Sequence, residues 1–110
     1  MNEAVSIINN STSIALIAHI MPDGDTLGSC IALKLALEIM GKDVDIYCED
    51  PVPHTFRFLE GIQKIKLPTK PIKQYELVIA VDCSDKGRLG YTCSLLFNNA
   101  AKTINIDHHV

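Results

Sequence analysis

The sequence has 110 residues, 47% of them hydrophobic and 21% charged, with a formal net charge of −3. That length suits one domain with one hydrophobic core. The acidic balance argues against binding to long duplex nucleic acid, because proteins that grip its backbone normally carry a basic surface. The longest uncharged apolar runs, 14–18 and 78–81, are far shorter than the ~20 residues of a membrane span, so no membrane partner is expected.

The cysteines are widely spaced and form no C-x-x-C pair; they are Cys30, Cys48, Cys83 and Cys93. This usage is typical of reduced, mostly buried thiols in a cytoplasmic protein. The first residues also lack the positive charge that opens a secretory signal peptide. We therefore expect a cytoplasmic location.

The first segments alternate between helix-like and strand-like patterns. Residues 2–10 place Val5 and Ile8 on one side and predict a short helix that docks on the core. Residues 14–18 are apolar at every position, which is typical of a strand covered on both faces, as in a parallel sheet.

Residues 26–40 predict a longer helix. Asp25 or Thr26 is suited to cap its start, and Gly41 suits a left-handed stop. Nearly all of its surface is apolar, so we expect it to be mostly buried against a sheet. Its one polar stripe consists of residues spaced four apart: Lys34, Glu38 and Lys42.

The later segments are shorter. Residues 54–59 predict a brief helix ended by Gly61, and residues 62–75 show no clear pattern. Further strands are expected at 44–47, 77–81 and 103–106, a turn at Gly87 and Gly90, and a short helix at 92–97. This alternation predicts an α/β fold that is doubly wound, with a mainly parallel sheet and helices on both faces.

Chemically active residues follow three of the predicted strands. His19 follows the first strand and Asp82 the clearest one, and the final strand runs into Asp107-His108-His109. The carboxyl ends of parallel strands share one edge of a sheet, where ligands usually bind. We therefore expect these groups to converge.

The loop after His19 adds two carboxylates, Asp23 and Asp25, separated by one glycine. Pro22 stiffens the loop, and Gly24 permits backbone angles closed to other residues, so the two carboxylates could face different targets. Crowding them with other carboxylates would be costly without a cation, because like charges resist ionising side by side. Mixed His and Asp ligation suits Mn²⁺, Fe²⁺, Zn²⁺ or Co²⁺ better than Ca²⁺.

A pair of such ions, about 3.5–4 Å apart, can generate a hydroxide nucleophile and stabilise a phosphoryl centre during in-line displacement. That chemistry needs a carboxylate able to bridge both ions. Asp82, at the end of a central strand, is the natural candidate.

Three motifs resemble those of the DHH phosphoesterase family, in the same order and spacing, over essentially the whole chain. They are His19-x-x-x-Asp23-x-Asp25, the Val-Asp-Cys-Ser-Asp segment at 81–85, and Asp107-His108-His109. The resemblance implies two divalent metal ions, with Mn²⁺ as the first expectation and Mg²⁺, Co²⁺ or Zn²⁺ as alternatives.

The resemblance also implies a role for each motif residue. His19 and Asp23 would hold one ion, Asp25 and His108 the other, and Asp82 would bridge them. The two remaining residues would complete the catalytic set: His109 would face the substrate phosphate, and Asp107 would orient the histidines through hydrogen bonds.

The first motif also bears on the substrate. The residues Pro22-Asp23-Gly24-Asp25 are similar to those of oligoribonuclease and 3′-phosphoadenosine 5′-phosphate (pAp) phosphatase members. Manganese pyrophosphatases, in contrast, tend to have threonine at the position of Gly24. The resemblance therefore implies hydrolysis of very short RNA, of pAp, or of both. A pyrophosphatase or a cyclic-dinucleotide phosphodiesterase of the same superfamily is the alternative.

Two further residues are candidates for contact with the substrate phosphate, each with a simpler alternative. Arg88 could bind phosphate or be a solvated loop charge. Gly28 and Ser29 could let a phosphate approach the helix start, where N–H groups and the helix dipole favour an anion, although close helix packing explains Gly28 equally well.

The chain departs from the family pattern at its end. The family has a further metal-binding Asp downstream and a C-terminal DHHA1-type domain, whereas this sequence stops at Val110. We therefore expect residues 1–110 to be the N-terminal part of a DHH domain, without the rest. A non-catalytic metal- or nucleotide-binding module stays open as an alternative of another class, and so does a homodimer.

Overall fold

The computed structural model describes residues 2–81 and 86–106, together with the side chains of all of these except residues 2, 86 and 87. In chain order its helices and strands are α1 (Asn2–Asn9), β1 (Ser13–Ala18), α2 (Gly24–Ile39), β2 (Asp43–Cys48), β3 (Ile65–Lys66), β4 (Leu77–Val81), α3 (Tyr91–Asn99) and β5 (Lys102–Ile106). Short 3₁₀ turns occupy His54–Phe56, Ile62–Lys64 and Lys86–Leu89. The strands pair in the order β3-β2-β1-β4-β5, and every pairing is parallel.

The central strand β1 is buried on both faces, as its continuous apolar run predicts. Alternate side chains point to opposite faces of a strand. Ile14 and Leu16 therefore pack in the layer of α1 and α2, whereas Ala15 and Ile17 pack in the layer of α3. All four are fully buried. The prediction of a doubly wound α/β fold with helices on both faces is confirmed.

Helix α2 begins earlier than the sequence suggested. Its N-cap is Asp23, which has an extended backbone (φ −96°, ψ 176°) and whose carboxylate accepts the N–H of Thr26. The prediction of Asp25 or Thr26 as the cap is therefore wrong: the cap needs an extended backbone, and both of those residues have already turned into the helix. Gly41, with φ of 85°, ends the helix as expected.

The prediction that α2 is mostly buried is also wrong. Its buried side chains form one narrow stripe against the sheet: Thr26, Leu27, Cys30 and Leu37. Leu35 is 56% exposed and Ile39 87% exposed, because both lie on the side of the helix that faces away from the sheet. Apolar composition overestimated the burial of this helix, since it cannot indicate how many sides are covered.

Helix α1 docks on the core through a different side than expected. Ile8 packs there with Ile7, whereas Val5 is 51% exposed. The brief helix expected at 54–59 is the 3₁₀ turn His54–Phe56. The region without a clear pattern contains β3, which pairs Ile65 with Ile46.

Within residues 2–81 and 86–106, none of the helices is both long and apolar enough to span a bilayer.

Candidate metal centre

The three strands that precede the motifs end side by side. Ala18 of β1 pairs with Val81 of β4, and Val81 pairs with Ile106 of β5. Since paired strands lie about 4.8 Å apart, the three ends fall within roughly 10 Å of one another. The order of strands along the chain reverses between β1 and β4, and such a switch point opens the crevice in which ligands of α/β sheets bind.

His19 directly follows β1 and is buried, with 5% of its surface exposed. Its Nδ1 lies 2.6 Å from the carbonyl oxygen of Ile20, and its Nε2 lies 3.1 Å from the hydroxyl of Thr26. A carbonyl can only accept, so Nδ1 carries the hydrogen in the neutral ring. Nε2 therefore keeps its lone pair, which accepts the Thr26 hydroxyl hydrogen.

Asp23 contacts the same threonine, Thr26, as His19 does. The backbone N–H of Thr26 donates to Asp23 Oδ1 over 2.8 Å, and this bond holds the pKa of Asp23 below its usual value, with a smaller contribution from the His19 ring. The Asp23 side chain is otherwise exposed. Two of the expected metal ligands, His19 and Asp23, thus both contact Thr26.

The unusual backbone of this loop lies at Met21 rather than at Gly24. Met21 has a φ of 50° and is 81% exposed, whereas Gly24 is the first helical residue of α2 and has no positive φ. A Cβ at Gly24 would meet the Phe56 ring at 3.4 Å, an ordinary contact. The prediction that Gly24 supplies special backbone angles is therefore wrong, because the cap at Asp23 already places Gly24 inside the helix.

The loop after β4 reaches back to His19 through Arg88. The N–H of Ile20 donates to the Arg88 carbonyl over 2.6 Å, and Arg88 Nη2 lies 3.3 Å from His19 Nδ1. Chain segments almost seventy positions apart are thus tied together at the carboxyl edge of the sheet.

A family model described as the DHH family, N-terminal domain, matches residues 13–110. The chain belongs to the DHH family. The resemblance of the three motifs is confirmed.

Two relatives of this DHH chain are named bifunctional oligoribonuclease and PAP phosphatase NrnA. The Thermus thermophilus protein is 31% identical over 96 residues, which are 87% of this chain and 28% of that protein. The Mycoplasma genitalium protein is 28% identical over 110 residues, which are 99% of this chain and 34% of that protein. The chain thus spans about a third of the length of these curated relatives.

A solved structure supports the fold. It is that of an exopolyphosphatase-related protein from Bacteroides fragilis, with a TM-score of 0.85 and 19% identity. The match covers 99% of this chain and 34% of that one.

The described part of this DHH chain contains only some of the expected metal ligands. Asp82, Asp107, His108 and His109 lie outside the described residues. Asp25 is exposed in the first turn of α2, and no cluster of three or more His, Cys, Asp or Glu side chains suited to a metal occurs within the described ranges. His19 and Asp23 fit a divalent metal, because metal-binding histidines typically donate their other N–H to a carbonyl or carboxylate, as His19 does to Ile20.

The two candidate substrate contacts are both accessible. Ser29 and Arg88 are exposed. A Cβ at Gly28 would meet no described heavy atom within 4 Å, so close packing of the helix does not account for this glycine among the described residues.

Sequence reasoning missed a carboxylate with a structural role at this edge. Glu49, which follows β2, accepts the N–H of Cys93 over 2.8 Å. Cys93 lies in the first turn of α3, whose N-cap is Gly90, a residue without a side chain to satisfy that N–H. Glu49 therefore caps α3 from another strand, and no local spacing could have revealed this.

Proposed function

We propose that this chain supplies the metal-binding edge of a phosphoesterase that hydrolyses very short oligoribonucleotides, pAp, or both. The observation that supports this most directly is the common level at which β1, β4 and β5 end, set by the Ala18–Val81–Ile106 row. Each of the three motifs begins at one of these strand ends. Side chains far apart in sequence can then act on one phosphate.

The chain's own residues prepare the site in two ways. The hydrogen bond from His19 Nδ1 to Ile20 leaves Nε2 as the electron-pair donor. The hydrogen bond from the Thr26 N–H lowers the pKa of Asp23, which favours the ionised carboxylate. Both are the states that a divalent cation requires of its ligands.

The remaining roles follow the family pattern. His19 and Asp23 would hold one ion and Asp25 and His108 the other, with Asp82 as the bridge. Two bound divalent ions, Mn²⁺ first among them, would supply an activated water and neutralise charge on the phosphoryl oxygens. The last two motif residues are assigned to the substrate and to support of the site: His109 to the phosphate, and Asp107 to orienting the histidines.

The substrate class rests on the relatives and on charge. Both relatives are named for oligoribonuclease and PAP phosphatase activity. The net charge of −3 disfavours long nucleic acid and is compatible with a small nucleotide. We also propose a cytoplasmic location, because Cys48 and Cys93 are free, buried thiols.

A substrate panel tests the proposal. The full-length protein with Mn²⁺ should hydrolyse a ribodinucleotide or pAp well above pyrophosphate and a cyclic dinucleotide. Preference for pyrophosphate or for the cyclic dinucleotide would move the chain to another branch of the family. Tight binding of Mn²⁺ without hydrolysis of any of the four would support a non-catalytic binding module.

A further inference from the structure

Arg88 is fixed beside His19 by its main chain. Its carbonyl accepts the Ile20 N–H over 2.6 Å, so the start of its side chain cannot drift from the loop that carries His19. Its guanidinium lies 3.3 Å from His19 Nδ1 and is exposed. The positive charge is therefore positioned by the fold rather than free on a surface.

The guanidinium has donors to spare. His19 Nδ1 already gives its hydrogen to Ile20 and cannot also accept one from Arg88, so the 3.3 Å contact between these two donors is not a hydrogen bond. Arg88 forms no salt bridge with any carboxylate in the described ranges. A guanidinium offers five N–H donors in a fork that matches phosphate oxygens.

The side of the imidazole ring on which Arg88 lies decides what it can bind. Arg88 approaches Nδ1, whereas the hydroxyl of Thr26, whose backbone N–H binds Asp23, lies at Nε2, the other ring nitrogen. Arg88 is thus beside the proposed metal ligands and does not share their position. A phosphate held by Arg88 on the Nδ1 side can therefore be one other than the phosphate at the proposed metal ions.

We propose that Arg88 binds a second, non-reacting phosphate of the substrate and thereby selects nucleotides that carry two phosphates. This inference rests on the proposed function and narrows it. Both proposed substrate types, pAp and a short oligoribonucleotide chain, can present a second phosphate one nucleoside away from the first. A nucleoside monophosphate cannot.

Steady-state kinetics of the full-length protein test the selection. The substrates are pAp and the two adenosine monophosphates, 3′ and 5′, each of which lacks one phosphate. Arg88→Gln should lower kcat/KM for pAp by about 10- to 100-fold and leave kcat/KM nearly unchanged for the monophosphate that carries only the reacting phosphate. Arg88→Lys should recover part of the loss, because it restores the charge without the fork.

Arg57 provides the matched control. It is an exposed arginine in the loop after β2 and forms no hydrogen bond or salt bridge with a described residue through its side chain. Arg57→Gln should therefore change neither the pAp rate nor the monophosphate rates. Equal losses for Arg88→Gln and Arg57→Gln would overturn the inference and indicate general electrostatic attraction.

Metal-free binding separates this inference from the proposed function. In excess chelator, isothermal titration should show that Arg88→Gln weakens binding of pAp and of the adenosine monophosphate that keeps the non-reacting phosphate, and leaves binding of the other monophosphate unchanged. A wild-type protein that hydrolyses pAp while Arg88→Gln keeps full affinity and rate contradicts the inference alone. A wild-type protein that neither binds nor hydrolyses pAp contradicts the proposed function as well.

Discussion

Two polar clusters, each built around a carboxylate, differ in how much of their hydrogen-bonding capacity is used. Asp45 of β2 is saturated: Lys66 lies 2.9 Å from Oδ1, while Tyr75 donates to Oδ2 over 2.5 Å and Lys73 lies 3.6 Å from it. The Tyr75 hydroxyl also lies 2.7 Å from that of Tyr47. Asp23, by contrast, is bonded by the backbone and side chain of Thr26 and forms no salt bridge with a described residue.

This difference distinguishes a cluster that stabilises the fold from one that can bind a ligand. The Asp45 cluster neutralises its charge internally and attaches the segment before β4 to strand β2. The cluster of His19, Asp23 and Thr26 lies at the carboxyl edge of the strands, and its carboxylate is exposed and has no cationic Lys or Arg partner among the described residues. Unused capacity at a sheet edge is where a ligand can bind, whereas a saturated cluster holds the fold.

Asp23→Asn should have the largest effect on activity. Asparagine caps helices as well as aspartate does, so the Thr26 N–H stays satisfied and the free energy of unfolding should change by about 1 kcal/mol or less. Loss of the metal-binding charge should lower kcat/KM by more than about 100-fold. Normal activity with normal stability would show that Asp23 serves only as a cap.

Gly90→Ala should have the largest effect on stability. Gly90 has φ of 93° and ψ of 162°, and a Cβ there would lie 2.4 Å from Cγ of Glu49, the residue that caps α3. Backbone strain and loss of the cap should together cost about 3 kcal/mol or more, measured by urea denaturation.

Gly41→Ala is the matched control for this change. Gly41 also has a positive φ, of 85°, but a Cβ there would meet no described heavy atom within 4 Å. Strain alone should cost about 1 kcal/mol. Equal losses for the two variants would contradict the role given to Glu49.

Tyr75→Phe tests the saturated cluster. Burial, followed by the bonds to Asp45 and Tyr47, raises the pKa of Tyr75, so its hydroxyl donates throughout the neutral range. Removing that hydroxyl should cost about 1–3 kcal/mol of stability. At saturating Mn²⁺ the activity per folded molecule should stay the same, and a loss comparable to that of Asp23→Asn would erase the distinction between the two clusters.

Asp45→Asn should have the smallest effect and one that depends on pH. Burial raises the pKa of Asp45, but hydrogen bonds from Tyr75 and Lys66 together bring it below its usual value. A carboxylate with a lowered pKa stabilises the fold above about pH 4 and loses that contribution as the pH falls through its folded value. The wild type should therefore be about 1 kcal/mol more stable than the variant at pH 7, since asparagine still accepts the Tyr75 hydroxyl, and the gap should close towards pH 3.

Asp43→Asn is the control for this pH dependence. Asp43 is an exposed carboxylate on the same strand and forms no salt bridge with a described residue. Asp43→Asn should leave the loss of stability at low pH unchanged. A gap for Asp45→Asn that stays constant from pH 7 to pH 3 would contradict the ionised cluster.

The sequence predicted those features of the fold that local composition decides. Residues 14–18 of β1 and all of β4 are apolar because both faces are covered, and Gly41 ends α2 because a left-handed residue must follow it. The edge position of His19 also follows from its place after a buried strand. Each of these depends on a few neighbouring residues.

The features that the sequence did not predict depend on contacts between distant parts of the chain. Strand β3 has only two residues, and its pairing with β2 and the Lys66–Asp45 bridge are set by residues about twenty positions away. The contact between His19 and Thr26 depends on how α2 sits over β1, which no spacing rule gives. The exposure of Leu35 could not be predicted from the sequence, because α2 is apolar both on the side that contacts the sheet and on the side that does not.

Metal binding by the full-length protein tests the central claim most directly. Titration with Mn²⁺, followed by electron paramagnetic resonance and by crystallography with anomalous scattering, should find two ions at the carboxyl edge of β1, β4 and β5. His19→Ala and Asp82→Asn should each abolish or strongly weaken this binding. Absence of bound Mn²⁺ from the folded wild type, or binding that both substitutions leave unchanged, would contradict the account.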